Sequence, residues 1–319
     1  MVSFREVTNR GEGQMLVVAP ERWDEACFAI PAVRALAASG LKVGVLCAEA
    51  QRDLWQKAGI AQVLDVAEKT NAKALAAELA GKWSAAIFWE PGKGADACVR
   101  AKIPKRIGPE EKELKKLLTN PAHIAKDPGP VEHRVRRYLA LVEKLGMSTG
   151  RPEFFAPIGA GGETGTVVLC PDSDFGPTYE WLLERWVEAA KALLEKGKRI
   201  TVIGLPGGRN LGKQLAANLG TAANFQELGS LGDSLDLLGA HETVLAAEGS
   251  VPHLAAFAGA VCVTLFGPGD PASRRPLGRQ HTIARKHVEC SPCFLTKCPM
   301  DLRCQNELTV ERVLSAMPA

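Results

Sequence analysis

The chain has 319 residues, 46% hydrophobic and 24% charged, with 39 Lys and Arg against 36 Asp and Glu. That length can fill two domain cores, and a formal charge of +3 carries no signature of a nucleic-acid binder. The opening MVSFREVTNRGEGQ is polar, unlike a secretory signal, and no stretch reaches the roughly 18 uncharged apolar residues of a membrane span. Secretion and membrane integration are therefore not expected. Nine cysteines are an odd number, which argues against a fully paired disulfide framework. Cys27, Cys47, Cys98, Cys170 and Cys262 lie beside or within apolar runs. They read as reduced core thiols of a cytoplasmic protein.

Short β-branched runs alternate with helical patterns along the chain. QMLVVA (14–19) reads as a strand, followed by a loop and a helical stretch to Ser39. Pro31 implies that this helix begins near Ile30 or is kinked there. KVGVLC (42–47), QVLDV and AAIFWE (85–90) read as further strands, with helices around 50–58 and 72–82 between them. RVRRYLALVEKLG (134–146) has the helical spacing of apolar residues, and the Gly- and Pro-dense stretch 148–165 reads as a linker. The pattern then restarts. TVVLC (166–170), RITVIG (199–204), ETVLAA (242–247) and AVCVTLFG (260–267) read as strands. Helices are expected over 179–197, around 210–219, over 251–259 and over 307–317, with Thr309 as N-cap of the last. Strands spaced by helices build parallel sheets. The expected fold is thus α/β, with a Rossmann-like domain over 1–150 and another over 151–319, facing each other across a ligand cleft.

Ligands of parallel sheets gather beyond the carboxyl ends of the strands. In the first such loop, Asp24 and Glu25 are candidates for a general base, or for capping the next helix. In AAEGSVPHLAAFAG (246–259), Gly249 permits close approach to a ligand, and the amides near Ser250, Val251 and His253 suit a diphosphate. Glu248, just before that turn, suits sugar hydroxyls. In CPDSDFGPTYEWLLERW (170–186), Ser173 is a candidate phosphate contact, while Thr178 reads first as a helix N-cap. GLPGGRN (204–210) is a further strand-end loop. Neither GxGxxG nor GxxxxGKS/T occurs in these two loops, so nicotinamide and P-loop readings lose their support. Between 266 and 304, Arg274, Arg275, Arg279, Arg285 and Lys286 form a basic segment suited to an anionic acceptor or headgroups. Cys290, Cys293, Cys298 and Cys304 in the same segment are spaced for a compact structural zinc site, free thiols or a disulfide.

The order of these motifs resembles glycosyltransferase family 9, the lipopolysaccharide heptosyltransferases, and its heptosyltransferase II-like members in particular. EGSVPHLAAFAGAVCVTLFGPGDP is similar to the family's D-[ST]-G-x-x-H-L-A-A followed by a strand and F-G-P-T-x-P. CPDSDFGPTYEW resembles P-G-A-x-F-G-P-A-K-R-W, WDEACFAIPAVRAL resembles G-D-x-x-x-x-x-P-A-L, and ECSPCFLTKCPMDLRC resembles a cysteine segment of the family. The resemblance implies a GT-B fold. It also implies metal-independent, inverting transfer of a sugar, heptose by analogy, from a nucleotide-diphosphate donor such as ADP-heptose to a lipopolysaccharide-core-type acceptor. The donor would be held by the C-terminal domain and the acceptor by the N-terminal one, with peripheral contact at the inner membrane. The implied base is Glu25, with Asp24 as fallback. The implied donor contacts are Ser173, Thr178, Tyr179, Glu248, Gly249, Ser250, Val251 and His253. Among the departures from the pattern, Glu25 and Glu248 stand for Asp, Tyr179 for a Lys and Glu180 for an Arg, with Asp24 in place of a Gly and Gly249 and Ser250 in place of the turn's next two residues. They leave a second reading, a GT-B protein that binds a sugar nucleotide or partner without transfer.

Overall fold

The computed structural model describes residues 13–124 and 131–318; the expectation for the opening segment lies outside these. The chain divides into two compact units, Met1–Ala156 and Pro157–Ala319. The first extends past the expected joint because Arg34 donates to the carbonyls of Phe154 and Ala156, at 3.2 and 2.6 Å, and so ties that stretch to the unit's first helix.

The first unit runs β1 (Gln14–Val18), α1 (Trp23–Ala37), β2 (Lys42–Ala48), α2 (Arg52–Lys57), β3 (Gln62–Val66) and α3 (Ala72–Leu79). It continues with β4 (Ala85–Ile87), α4 (Lys93–Arg100), β5 (Lys105–Pro109), β6 (Asn120–Ala122) and α5 (Val135–Lys144). All the strand pairs are parallel, in the order β3-β2-β1-β4-β5-β6, the arrangement of a Rossmann sheet. Helix α1 starts at Trp23 rather than near Ile30, with Pro31 inside it. A proline there removes one helical hydrogen bond, at a cost of about 3 kcal/mol. Burial of Phe28, Ile30, Val33 and Leu36, at roughly 1.5–3 kcal/mol per side chain, more than offsets it.

The second unit runs β7 (Glu163–Cys170), α6 (Leu183–Glu195), β8 (Arg199–Gly204), α7 (Leu211–Leu219), β9 (Ala223–Glu227), α8 (Leu231–Gly239) and β10 (His241–Ala247). Next come α9 (Val251–Ala258), β11 (Val261–Phe266), α10 (Pro271–Arg274), β12 (Thr282–Arg285), α11 (Arg303–Asn306) and α12 (Val310–Ser315). Its parallel sheet is ordered β12-β11-β10-β7-β8-β9, which is the first sheet's order repeated. One face is covered by Trp181, Trp186 and Leu193 packed on Val167, Leu169, Val202 and Leu245, the two indoles edge to face at 5.5 Å. The expected final helix is shorter, Val310–Ser315, and Thr309 caps it as expected, accepting from the Arg312 amide at 3.3 Å. The helix expected over 179–197 begins only at Leu183, with Leu182 as N-cap. Thr178 therefore caps nothing. Cys27, Cys47, Cys98, Cys170 and Cys262 are buried and unpaired, as their apolar surroundings imply.

His281, at the entry to β12, is buried and accepts the Cys262 amide on Nδ1 at 3.1 Å. That bond requires the neutral ring. Burial pulls the imidazole down from 6.5 to about 4, so between these values the unfolded chain binds the extra proton and stability drains away as pH falls. We expect the urea midpoint to decline from about pH 6.5 toward pH 4, and the decline to lose up to one proton's worth of slope in His281→Gln. An unchanged slope in that variant would exclude His281 as the cause.

Candidate active site

Each sheet reverses its strand order at one neighbouring pair, β1 beside β4 and β7 beside β10. Loops leaving such a pair diverge, and the opening between them is where parallel sheets take ligands.

At the first of these points, Asp24 and Glu25 lie in the opening turn of α1 rather than in a loop. Neither is the N-cap, a position held by Arg22, so the capping alternative does not hold. Asp24 is fully buried and accepts from Nε and Nη2 of Arg22 at 3.0 and 3.1 Å. Glu25, also buried, is held from α5 and the residue before it. Its Oε1 pairs with the Arg134 guanidinium, and its Oε2 accepts the Tyr138 hydroxyl at 2.7 Å. Burial, with the Glu25 charge beside it, pushes the Tyr138 phenol well above its ordinary range, so Tyr138 serves as a fixed donor. Trp89 packs on the Tyr138 ring at 5.1 Å. Glu90, just beyond β4, accepts the Glu21 amide at 3.0 Å. Its carboxyl is raised, chiefly by burial and further by the charges of Glu25 and Glu21, while the Glu21 amide bond and Arg137 oppose the rise. The site thus contains a second acid, Glu90, and a clamp, Arg134 and Tyr138, that sequence reasoning missed. The clamp lies more than a hundred residues from Glu25 and leaves no local signal.

At the second point the β7 and β10 loops are stitched together. The Ser173 hydroxyl donates to the Glu248 carbonyl at 2.5 Å and accepts from the Phe175 amide at 3.1 Å. On either side of Ser173, two carboxylates sit on helix N-termini. Asp172 accepts the Leu211 and Gly212 amides of α7, both at 3.0 Å. Asp174 accepts the Ser250 amide at 2.8 Å and the Ser250 hydroxyl at 2.6 Å. The amide expected to meet a diphosphate is therefore held by one of the protein's own acids, at a position sequence reasoning passed over. Glu248 is buried, and its Oε2 accepts the Gly269 amide at 3.2 Å. A Cβ on Gly269 would fall 1.7 Å from Oε1 of Glu248, so this glycine makes room for the glutamate. Glu180 accepts the Ser173 amide at 3.3 Å and pairs with Arg209 at 3.0 Å. Burial raises its carboxyl against the pull of that amide and of Arg209.

Val251 and His253 are buried in the first turn of α9, where the His253 amide bonds the Ser250 carbonyl at 3.1 Å. Thr178 donates its hydroxyl to the Thr296 carbonyl at 2.7 Å, and Tyr179 is buried with its ring against Phe175 at 5.4 Å.

Thr296 belongs to the cysteine segment, which folds over the end of β11. The Cys293 and Phe294 amides both reach the Pro268 carbonyl at 2.9 Å, and Ser291 Oγ reaches that of Gly267 at 2.6 Å. Cys290, Cys293, Cys298 and Cys304 are free thiols. Among the described residues no group of three or more His, Cys, Asp or Glu is placed to hold a metal ion, so the spacing does not assemble into the zinc site it suggested. Burial, then the neighbouring Cys290 and Cys293, pushes the Cys304 thiol up to about 11. A thiol so raised stays protonated at neutral pH.

Comparison with known proteins agrees with this architecture. Residues 93–303 match the family described as glycosyltransferase family 9 (heptosyltransferase). The chain is 23% identical over 209 residues to lipopolysaccharide heptosyltransferase 2 of Escherichia coli, a match covering 58% of this chain and 60% of that one. The matched segment thus spans less than two thirds of that relative. The solved structure of E. coli ADP-heptose lps heptosyltransferase II superposes with a TM-score of 0.75 at 20% identity, over 95% of this chain and 97% of the other. An E. coli heptosyltransferase solved with ADP gives 0.73 at 20% identity, over 95% and 98%. The fold is the GT-B type, built from two Rossmann-like domains. The chain belongs to glycosyltransferase family 9.

Asp172 replaces a helix cap with a buried carboxylate that serves two amides. We expect Asp172→Ala to lower stability by about 1–2 kcal/mol, read as a lower urea midpoint at unchanged slope. An unshifted midpoint would mean that α7 does not depend on this cap.

Proposed function

We propose that the protein is an inverting glycosyltransferase that moves a heptose-type sugar from a nucleotide-diphosphate donor, ADP-heptose by analogy with its relatives, to a lipopolysaccharide-core-type acceptor. The second unit holds the donor and the first holds the acceptor. The observation that carries the chemistry is the Glu25 carboxylate, fixed on one oxygen by Arg134 and on the other by Tyr138 at 2.7 Å. A general base works only when held in register with the hydroxyl it deprotonates. Each oxygen of a carboxylate has a second lone pair, so Glu25 can accept a proton without leaving its clamp. Asp24, chelated by Arg22 and fully buried, is the weaker candidate. As the acceptor oxygen attacks the anomeric carbon, the bond to the diphosphate breaks, and charge collects on the leaving phosphate. The N-terminus of α9, at Gly249, Ser250 and Val251, supports that charge best in the transition state. Glu248 is assigned to the sugar hydroxyls, and no metal is required.

Arg274, Arg275, Arg279, Arg285 and Lys286, all in the second unit, support contact with anionic headgroups. Phe294, Leu295 and Met300, all exposed, support a peripheral contact with the inner membrane from the cytoplasm. Among the described residues no helix is long and apolar enough to cross a membrane.

Glu25→Gln keeps the shape of the side chain and removes its proton affinity. With ADP-heptose and a core-lipid acceptor we expect turnover to fall by about 10²–10⁴-fold with ADP binding retained, and wild-type transfer to persist in a metal chelator. Turnover within a few-fold of wild type would end the base assignment. Nucleotide binding with no transfer from any donor of a panel would favour the binding-only reading instead.

A further inference from the structure

We propose that Asp174 is a built-in counter-anion that occupies the diphosphate seat of the second unit and must be displaced by the donor, so that it sets donor affinity. The inference rests on the donor reading above.

The contact has the form of an anion site already filled. One carboxylate oxygen takes the Ser250 amide at 2.8 Å, and the other takes the Ser250 hydroxyl at 2.6 Å. The first amides of a helix point out along its axis and favour negative charge. In this helix their number is small. Pro252 has no N–H, and the His253 amide is turned back to the Ser250 carbonyl at 3.1 Å. The amides offered to an anion come from Ser250 and Val251, and Asp174 holds the first. Gly249 is shaped to this occupant, since a Cβ there would lie 2.5 Å from Oδ1 of Asp174.

The surroundings make the occupant displaceable. Asp174 is exposed whereas Ser250 is buried, so the carboxylate can turn into water without a burial penalty. The two residues before it cannot follow it. Asp172 is fixed on the α7 amides at 3.0 Å, and Ser173 on the Glu248 carbonyl at 2.5 Å. Displacement is therefore a side-chain rotation, with the loop left in place. A phosphate and the Asp174 carboxylate cannot share the same two donors, because like charges at that distance repel. Donor binding thus pays for the release, and the observed affinity is the intrinsic one reduced by the fraction of molecules with the seat open. A ligand without phosphates does not compete for Ser250 and is insensitive to Asp174. The contact selects for multiply charged anions that outweigh a single carboxylate, as a nucleoside diphosphate does.

The test is calorimetric titration of the wild-type chain, Asp174→Ala and Asp174→Asn with ADP, and with adenosine as the phosphate-free probe. We expect Asp174→Ala to bind ADP about tenfold more tightly than wild type. Asp174→Asn, which keeps an acceptor for Ser250 but loses the charge, should fall between them and also serves should the alanine variant fail to fold. Adenosine affinity should be the same in all three. ADP binding of equal or lower affinity in both variants overturns the counter-anion while leaving the donor site standing. No binding of ADP, UDP or GDP by any of the three overturns the donor reading and this inference together.

Discussion

Carboxylates placed at the carboxyl ends of buried parallel strands must find donors, because an unpaired buried charge costs several kcal/mol. This constraint organises both switch points. Asp24 is met by Arg22, Glu25 by Arg134 and Tyr138, Asp172 by two helix amides, Glu180 by Arg209 and the Ser173 amide, and Glu248 by the Gly269 amide. Most of these contacts join segments that leave different strands or helices; Arg22 with Asp24, and the Ser173 amide with Glu180, are the local ones. The acids thereby hold the loops that surround them, and the shape of each proposed site follows from how its charges are satisfied.

The departures from the family pattern take on physical content in this light. Glu25 is one methylene longer than the aspartate it replaces, and its two oxygens reach a guanidinium and a phenol supplied from α5 and the residue before it. Glu248 is longer in the same way, and Gly269 gives way to it. Tyr179, where the family carries a lysine, is buried against Phe175. Cations nonetheless reach this loop from other segments. Arg274 stacks over the Phe175 ring at 5.3 Å, and Arg209 stands on Glu180.

The two units repeat one strand order but treat their switch points differently. In the first, a cation and a phenol converge on Glu25, which suits a group that exchanges a proton. In the second, Asp172 is a fixed cap on α7, while Asp174 meets the turn before α9, where it is proposed to give way to the donor's phosphates. The division of labour proposed between acceptor and donor domains comes from the family resemblance, and this contrast in local electrostatics agrees with it.

What the sequence by itself determined was the pair of parallel sheets and the strand-end loops that matter. Buried central strands such as QMLVV and VCVTLF are unbroken apolar runs, and those are visible without coordinates. The outer strands KRIGP, NPA, ANFQE and TIAR were not legible, because strands near the edge of a sheet are half solvated and carry polar residues. Of the two readings Pro31 allowed, a helix start near Ile30 or a kink there, the structure excludes the first. Glu25, Ser173, Glu248 and Ser250 were marked by their position after strands, whereas Arg134, Tyr138, Asp174 and Gly269 were not. Tertiary structure alone decided which donor meets which carboxylate, since those pairs are set by how helices and loops distant in sequence pack beyond the strand ends, and no local spacing encodes such a meeting.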